Sequence, residues 1–225
     1  MSLEGLILVD KSVGSTSFHI VSLLRRLTKE RTIGHAGTLD PFATGVMVML
    51  IGRNFTRLSN TFLGADKQYR AVMVLGVSTD TYDLDGQETA RSAFEPSFSQ
   101  VETAIASFQG EIWQTPPMFS AKKQGGQKLY DLARKGIVVD RPAVSVRLAI
   151  SCVQYTYPYL VMVVDCSKGK YFRSLAYDLG QTLGCGAHLS SLVRLRSGSF
   201  YLEDCIPQTN LEDSNYDIRD CKILK

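Results

Sequence analysis

One carboxylate stands out in residues 34–45, GHAGTLDPFATG, where Asp40 lies among three glycines, two threonines, one histidine and one proline. Glycines permit tight turns and close approach of the backbone to a ligand, and Pro41 keeps Asp40 out of the helical region. The segment therefore predicts a rigid loop that points a carboxylate in one direction. A lone carboxylate favours a nucleophile or a general base. These residues alone also allow an Asx turn, in which Asp40 caps its own loop.

Cations and aromatic side chains are interleaved in residues 165–180, DCSKGKYFRSLAYDLG, at the predicted start of a helix. A helix N-terminus with such neighbours suits contact with phosphate and stacking on a base. The alternative is a solvated basic helix start beside an aromatic core residue. The side chains concerned are Lys168, Lys170, Tyr171, Phe172 and Arg173.

A tyrosine between two cations begins a predicted strand in residues 65–71, ADKQYRA. Strand alternation places Tyr69 on the same face as Lys67 and Ala71, with Arg70 on the opposite face. Tyr69 can stack on a base or serve as a half-buried sheet residue.

Further cations lie in a predicted basic loop and helix at residues 120–136 and in residues 188–198, HLSSLVRLRSG. The first segment contains Lys122 and Lys123, and the second contains Arg194. The net charge is only +3. The clustering of cations with aromatics indicates an RNA-binding surface more strongly than the net charge does.

Metal and disulfide chemistry find no support in the sequence. The five cysteines form no C-x-x-C pair, and the three histidines have no ligand spacing to them, so we expect reduced thiols and no metal. The acidic segment 79–87, TDTYDLDGQ, fails as a calcium loop because Ser92 stands where the bidentate glutamate belongs. We interpret it as a turn or a loop-closing element. Phosphate-binding and dinucleotide-binding motifs are also absent.

Hydrophobic periodicity predicts the elements that must position these side chains. Residues 5–10 read as a buried strand, and a helix with Thr16 or Ser17 as its N-cap follows. Strands are predicted at 46–52, 67–79, 143–157 and 159–167, and helices at 54–65, 97–110 and 171–184. With no repeats and no linker, the sequence predicts one α/β (α+β) domain with a large mixed, mostly antiparallel sheet flanked by helices. No signal peptide and no membrane-length apolar run occur, so we expect a soluble cytoplasmic protein.

The chain resembles the bacterial TruB-type tRNA pseudouridine-55 synthases. GHAGTLDPFATGVM is similar to the nucleophile motif of that family, and DKSVGSTS at 10–17 resembles its N-terminal D-K-P-x-G-x-T-S. Segments beginning at residues 67, 114, 166 and 186 also resemble family segments in the same order. Ser12 stands where the family usually has proline, and Val193 replaces the first arginine of a usual L-R-R.

The resemblance implies isomerisation of uridine to pseudouridine in the tRNA T-loop by base flipping, without cofactor or metal. It implies that Asp40 is the nucleophile, that Arg173 pairs with it, and that Tyr69 stacks on the flipped base and assists proton handling. It further implies that His35 fills the gap left in the T-loop, and that Tyr171 and Leu192 line the base pocket. RNA contacts are expected from Lys67, Asp85, Lys122, Lys123, Lys168 and Arg194.

The resemblance also implies a pseudouridine-synthase-like catalytic domain at residues 1–202. Residues 203–225 are expected to form a short C-terminal extension with no PUA domain. The expected partner is the T-stem-loop of tRNA, bound by a monomer and without a membrane. An RNA-binding or tRNA-folding chaperone without activity is the alternative function, and an unrelated hydrolase is a remote third.

Overall fold

The computed structural model describes residues 3–118, 123–124, 126–129, 132, 136–137, 139–220 and 223–224. Its helices are α1 (Ser17–Thr28), α2 (Arg53–Thr56), α3 (Ser59–Gly64), α4 (Phe98–Ala106), α5 (Phe172–Leu183) and α6 (Gln208–Glu212). Its strands are β1 (Gly5–Lys11), β2 (Ile33–His35), β3 (Thr44–Ile51), β4 (Lys67–Leu75), β5 (Val77–Thr79), β6 (Glu88–Arg91), β7 (Gly110–Gln114), β8 (Lys123–Gln124), β9 (Gln127–Lys128), β10 (Val144–Thr156), β11 (Tyr159–Cys166), β12 (Ala187–Ser197), β13 (Phe200–Tyr201) and β14 (Ile206–Pro207). Short 3₁₀ helices cover Leu202–Asp204 and Ile218–Asp220.

The fold-class prediction is confirmed: within the described residues, ten strands belong to one mixed, mostly antiparallel sheet, and helices accompany it. The chain divides into two compact units, Met1–Arg70 with Leu192–Lys225, and Ala71–Ser191. β4 and β12 each contain one boundary between the units. None of the described helices is long and apolar enough to cross a membrane.

In the first unit the strand order is β14-β1-β3-β12, with β2 beside β3 and β13 beside β12. β1 and β3 pair antiparallel from Gly5↔Ile51 to Lys11↔Gly45. β14 and β12 add parallel pairs to β1 and β3, respectively. Both central strands are buried along nearly their whole length, which explains why they read as continuous apolar runs in the sequence.

In the second unit β4, β11, β10 and β7 are neighbours in that order, and β5-β6 and β8-β9 form two separate hairpins. β10 pairs antiparallel with both β11 and β7. α4 packs on β10 and on α5. Along β10 the buried side chains Val146, Leu148 and Ile150 alternate with exposed ones, as expected of a strand with one covered face.

Two predicted helices differ from the observed ones. The single helix expected over residues 54–65 is two short helices, α2 and α3, separated at Arg57 and Leu58. Neither short helix has a side-chain cap or a buried residue, so no amphipathic stripe holds the segment in one continuous helix. The helix expected at 97–110 ends at Ala106, and Gly110, with φ +81°, opens β7 instead of closing the helix.

Candidate active site

The loop that carries Asp40 connects β2 to β3 in the first unit. The Ala36 N–H donates to the Val48 carbonyl at 2.9 Å, and the Ala43 N–H donates to the Asp40 carbonyl at 3.1 Å. Ala36, Leu39 and Ala43 are buried, whereas the Asp40 side chain is half-buried. The buried apolar side chains therefore anchor the loop in the protein core, while the Asp40 carboxylate remains partly accessible to solvent.

Ser17, the first residue of α1, fixes the backbone directly before Asp40. Its hydroxyl donates to the Leu39 carbonyl at 3.3 Å and accepts from the Leu39 N–H at 3.0 Å. Thr16 is the N-cap of α1, because its side chain accepts from the His19 N–H. The sequence offered both residues as caps. In the structure Thr16 is the N-cap of α1, and the Ser17 hydroxyl bonds to the Asp40 loop instead.

Lys11 is a residue that the sequence reasoning missed. Its side chain is fully buried at 0% exposure. Its Nζ donates to the carbonyls of Ser12 at 3.0 Å, Ser15 at 2.6 Å and Pro41 at 3.0 Å. Burial lowers the pKa of Lys11 to about 8, while the Asp40 carboxylate opposes that shift. A buried cation thus lies within electrostatic reach of Asp40. The sequence signal is a lysine at the end of a largely apolar, buried strand.

Arg194 is a second buried cation beneath the same loop, with 1% exposure. Its Nε donates to the Val46 carbonyl at 2.6 Å, and its Nη2 donates to the Gly37 carbonyl at 3.3 Å. Arg194 was predicted to contact RNA, and that contact stays a prediction; in this structure its Nε and Nη2 donate to groups of the protein itself. These two hydrogen bonds of Arg194 hold the Asp40 loop against β3.

Lys67 is likewise buried, with 7% exposure, although it was predicted to contact RNA. Its Nζ donates to the Leu63 carbonyl at 3.1 Å and to the Ala65 carbonyl at 2.7 Å, which closes the end of α3. A buried ammonium must satisfy its donors within the protein. In this structure Lys67 therefore stabilises the end of α3, and its contact with RNA stays a prediction.

The other predicted residues of the first unit are His35, Tyr69 and Leu192. His35 ends β2 and is half-buried, and its Nδ1 has no hydrogen-bond partner among the described residues. Burial, followed by the charge of Arg194, lowers the pKa of His35, so the neutral ring is favoured. Tyr69 is 8% exposed and shares a buried face with Lys67 and Ala71, as strand alternation predicted. Leu192 is 6% exposed.

The second unit contains Arg173, near the start of α5. Arg173 and Asp83 are both about 8% exposed at their side chains, and Arg173 Nε lies 3.6 Å from Asp83 Oδ2. Asp83 Oδ1 also accepts from the Thr81 hydroxyl at 2.5 Å and from the Asp85 N–H at 3.2 Å. The acidic segment is therefore a turn that presents one buried carboxylate to Arg173. Asp85 itself is exposed.

Tyr171 is the N-cap residue of α5, and its N–H donates to Gln114 Oε1 at 2.9 Å. Gln114 is 1% exposed. The hydrogen bond between these residues fixes the backbone at the start of α5. A glutamine in a strand gives no sequence signal for such a partner 57 positions away.

The loop before α5 presents fewer exposed positive charges than its lysines suggest in the sequence. Lys168 is exposed in the loop before α5. The Lys170 amine is buried and has no hydrogen-bond partner among the described residues. Burial lowers the pKa of Lys170 to about 7, against the opposing charge of Asp178. Lys168 is therefore the cation that this loop offers to an anionic ligand.

The remaining predicted RNA contacts lie in the basic loop. Lys123 belongs to β8, which pairs with β9 in a small hairpin. Lys122 lies outside the described residues. Among the described residues, no three histidine, cysteine, aspartate or glutamate side chains are grouped to hold a metal ion.

Comparisons with known proteins agree on one family. Residues 25–172 match the model of the TruB family pseudouridylate synthase N-terminal domain, and residues 173–223 match the tRNA pseudouridylate synthase B C-terminal domain. The chain is 56% identical to tRNA pseudouridine synthase B of Protochlamydia amoebophila, over 94% of this chain and 83% of that protein. It is 54% identical to the protein of the same name from Chlamydia trachomatis serovar L2, over 96% and 90%.

A solved structure supports the same fold. The chain superposes with a TM-score of 0.74 on a chain from the structure described as a Cbf5-Nop10-Gar1 complex, at 28% sequence identity. The match covers 96% of this chain and 56% of that one.

Proposed function

The chain belongs to the TruB family of pseudouridylate synthases, and we propose that it converts uridine 55 of the tRNA T-loop to pseudouridine. Isomerisation of uridine to pseudouridine in tRNA is the activity of the family. We also propose the T-loop position and the roles of the individual side chains. The observation that carries them is the anchored loop, in which Ser17, Lys11 and Arg194 fix the backbone around an accessible Asp40.

Asp40 is the proposed nucleophile, and it attacks either C1′ of the ribose or C6 of the base. In both cases the bond from N1 to C1′ breaks, the uracil rotates, and C5 bonds to C1′. The proton on C5 then leaves and a proton is placed on N1, so the product has the atoms of the substrate. The rearrangement is redox-neutral, and the proposed mechanism uses neither cofactor nor metal. An anchored loop suits this chemistry because a nucleophile must be held in line with the atom it attacks.

The substrate uridine must leave the stack of the T-loop before Asp40 can reach it. We assign His35 to the space that the base vacates. The lowered pKa of His35 favours a neutral ring, which enters a stack of bases more cheaply than an imidazolium ion would. Tyr69 stacks on the flipped base and assists transfer of the C5 proton, while Tyr171 and Leu192 line the pocket.

Arg173 is proposed to pair with the Asp40 carboxylate and to orient it during attack. The buried Asp83 supports this role, because it already holds the Arg173 guanidinium from one side. RNA contacts are assigned to the exposed Lys168 and Asp85, and, on sequence grounds alone, to Lys122 and Lys123. Residues 1–202 form the proposed catalytic domain, which acts as a monomer, and residues 203–225 form a short C-terminal extension.

The function is tested with T-arm transcripts that carry tritium at C5 of uridine. The native chain is expected to release one tritium per RNA when uridine 55 is the labelled position. A matched transcript with cytidine at position 55 and label at the other uridines should release none. Tight binding of both transcripts without release from either would favour the RNA chaperone instead. Release from both would overturn the positional assignment.

Replacing Asp83 with asparagine is expected to lower the single-turnover rate by about 100-fold. The substitution keeps the shape of the side chain but removes the negative charge beside the buried Arg173 guanidinium, and losing one charge of a buried ion pair is costly. Glu88→Gln is the matched control, because Glu88 pairs with Arg91 at the exposed surface. Tritium release measures both variants. Equal rates for the two would exclude a role for Asp83 in holding Arg173.

A further inference from the structure

The C-terminal segment reaches the base of the Asp40 loop through one buried side chain. β14 runs parallel to β1, with Val9 opposite Ile206 and Asp10 opposite Pro207. The two strands end at the same edge, and Gln208 follows β14 directly. Gln208 is 2% exposed, and its Oε1 accepts a hydrogen bond from the Ser12 N–H at 3.1 Å.

Gln208 is itself held firmly in α6. Its Nε2 donates to Glu212 Oε1 at 2.6 Å, one helical turn away. Arg26 of α1 donates from Nη2 to the Leu211 carbonyl at 2.9 Å and ties α6 to the neighbouring helix. These contacts fix the position of Gln208 Oε1, which accepts the hydrogen bond from the Ser12 N–H.

Ser12 belongs to the turn that Lys11 ties to the nucleophile loop. The Lys11 amine donates its three hydrogens to the carbonyls of Ser12, Ser15 and Pro41. The Gly14 N–H also donates to the Pro41 carbonyl, at 2.8 Å. Pro41 directly follows Asp40. A shift of this turn would therefore be transmitted to the backbone that carries the nucleophile.

We propose that Gln208 is a positioning residue for the reaction, which accepts the Ser12 N–H and thereby keeps the turn at Lys11–Ser15 and the Asp40 loop in register. The bond exists because Ser12, unlike proline, has a backbone N–H. Ser12 is half-buried, and a backbone N–H shielded from water without an acceptor is costly, so the turn would move to satisfy it if Gln208 were lost. The inference rests on the proposed role of Asp40.

Two substitutions separate positioning from packing. Gln208→Met keeps the buried volume but removes the acceptor, and it is expected to lower the single-turnover rate of tritium release by about tenfold. RNA affinity, measured by filter binding, should stay within about twofold, because Gln208 is only 2% exposed and offers almost no surface to RNA. Ser12→Pro removes the donor, so the double variant Ser12→Pro with Gln208→Met should recover a rate within about threefold of the native chain.

Thr209→Ala is the matched control, since Thr209 lies next to Gln208 in α6 but is exposed. It should retain the native rate. A native rate for Gln208→Met would overturn the proposal, and so would a loss that Ser12→Pro fails to rescue. If Gln208→Met does not fold, recovery of folding and rate in the double variant supports the proposal, and failure of both overturns it. An inactive native chain would instead reject the proposed function itself.

Discussion

Replacing Asp40 with asparagine is expected to lower the rate of tritium release by at least about four orders of magnitude. Asparagine has nearly the same shape as aspartate, but its amide carries no negative charge and cannot form the covalent intermediate with the nucleotide. The loop around position 40 should keep its conformation, because its anchors are backbone hydrogen bonds to Ser17, Lys11 and Arg194. The loss should therefore lie in chemistry and not in folding.

Three measurements make this result specific. Single-turnover assays at saturating enzyme give the rate, filter binding gives the RNA affinity, and thermal unfolding gives the stability of Asp40→Asn. Glu203→Gln serves as the control, since it removes an exposed carboxylate from the same unit and should change none of them. Release that survives in Asp40→Asn would reject the nucleophile assignment.

Replacing Gly45 with alanine is expected to reduce the free energy of unfolding by more than about 4 kcal/mol, a size found only for severe defects. Gly45 has φ +100°, a conformation that L side chains rarely adopt. A Cβ there would also lie closer than 3.0 Å to the nitrogen, carbon and oxygen of Arg194. The parallel pair Arg194↔Gly45 joins β12 to β3 at the end of the Asp40 loop. Either the pairing or the loop must move.

Gly184→Ala measures how much of the lost free energy of unfolding comes from a positive φ alone, without a steric clash. Gly184 caps α5 with φ +74°, and a Cβ there would meet no atom within 4 Å. Alanine at this position should cost about 1 kcal/mol, from the left-handed conformation alone. Urea unfolding measures both variants. If Gly45→Ala is no less stable than Gly184→Ala, the close approach to Arg194 has no energetic importance.

Local signals in the sequence suffice where the partners are neighbours along the chain. Thr16 caps α1 through His19, and Ser97 forms a capping box with Gln100 at the start of α4. The alternation through Tyr69 is also a local property, and the structure confirms it. The family motifs predict the fold in more detail than hydrophobic periodicity does, because no local pattern specifies which strands become neighbours in the sheet.

The environment of charged side chains could not be predicted in this way. Arg194 finds its acceptor on Val46, 148 positions away, and a sequence pattern cannot distinguish that from contact with RNA. The same limit hid Lys11 and the pairing of Arg173 with Asp83. Burial of such a cation depends on acceptors that the tertiary structure brings to it, such as the Val46 carbonyl for Arg194 and the Pro41 carbonyl for Lys11. Pairing of Arg173 with Asp40 stays a prediction.

The discontinuity of the first unit determines when the Asp40 loop can gain all its contacts during synthesis. Residues 71–191 form one continuous stretch, so the second unit can gather its contacts while translation proceeds. The first unit must wait for β12, β14 and the bridge between Leu6 and Leu224, which involve residues made after most of the second unit. Arg194 and Gln208 both belong to that late segment. The nascent chain therefore lacks the contacts of Arg194 and Gln208 with the Asp40 loop and its neighbouring turn until the second unit has been made.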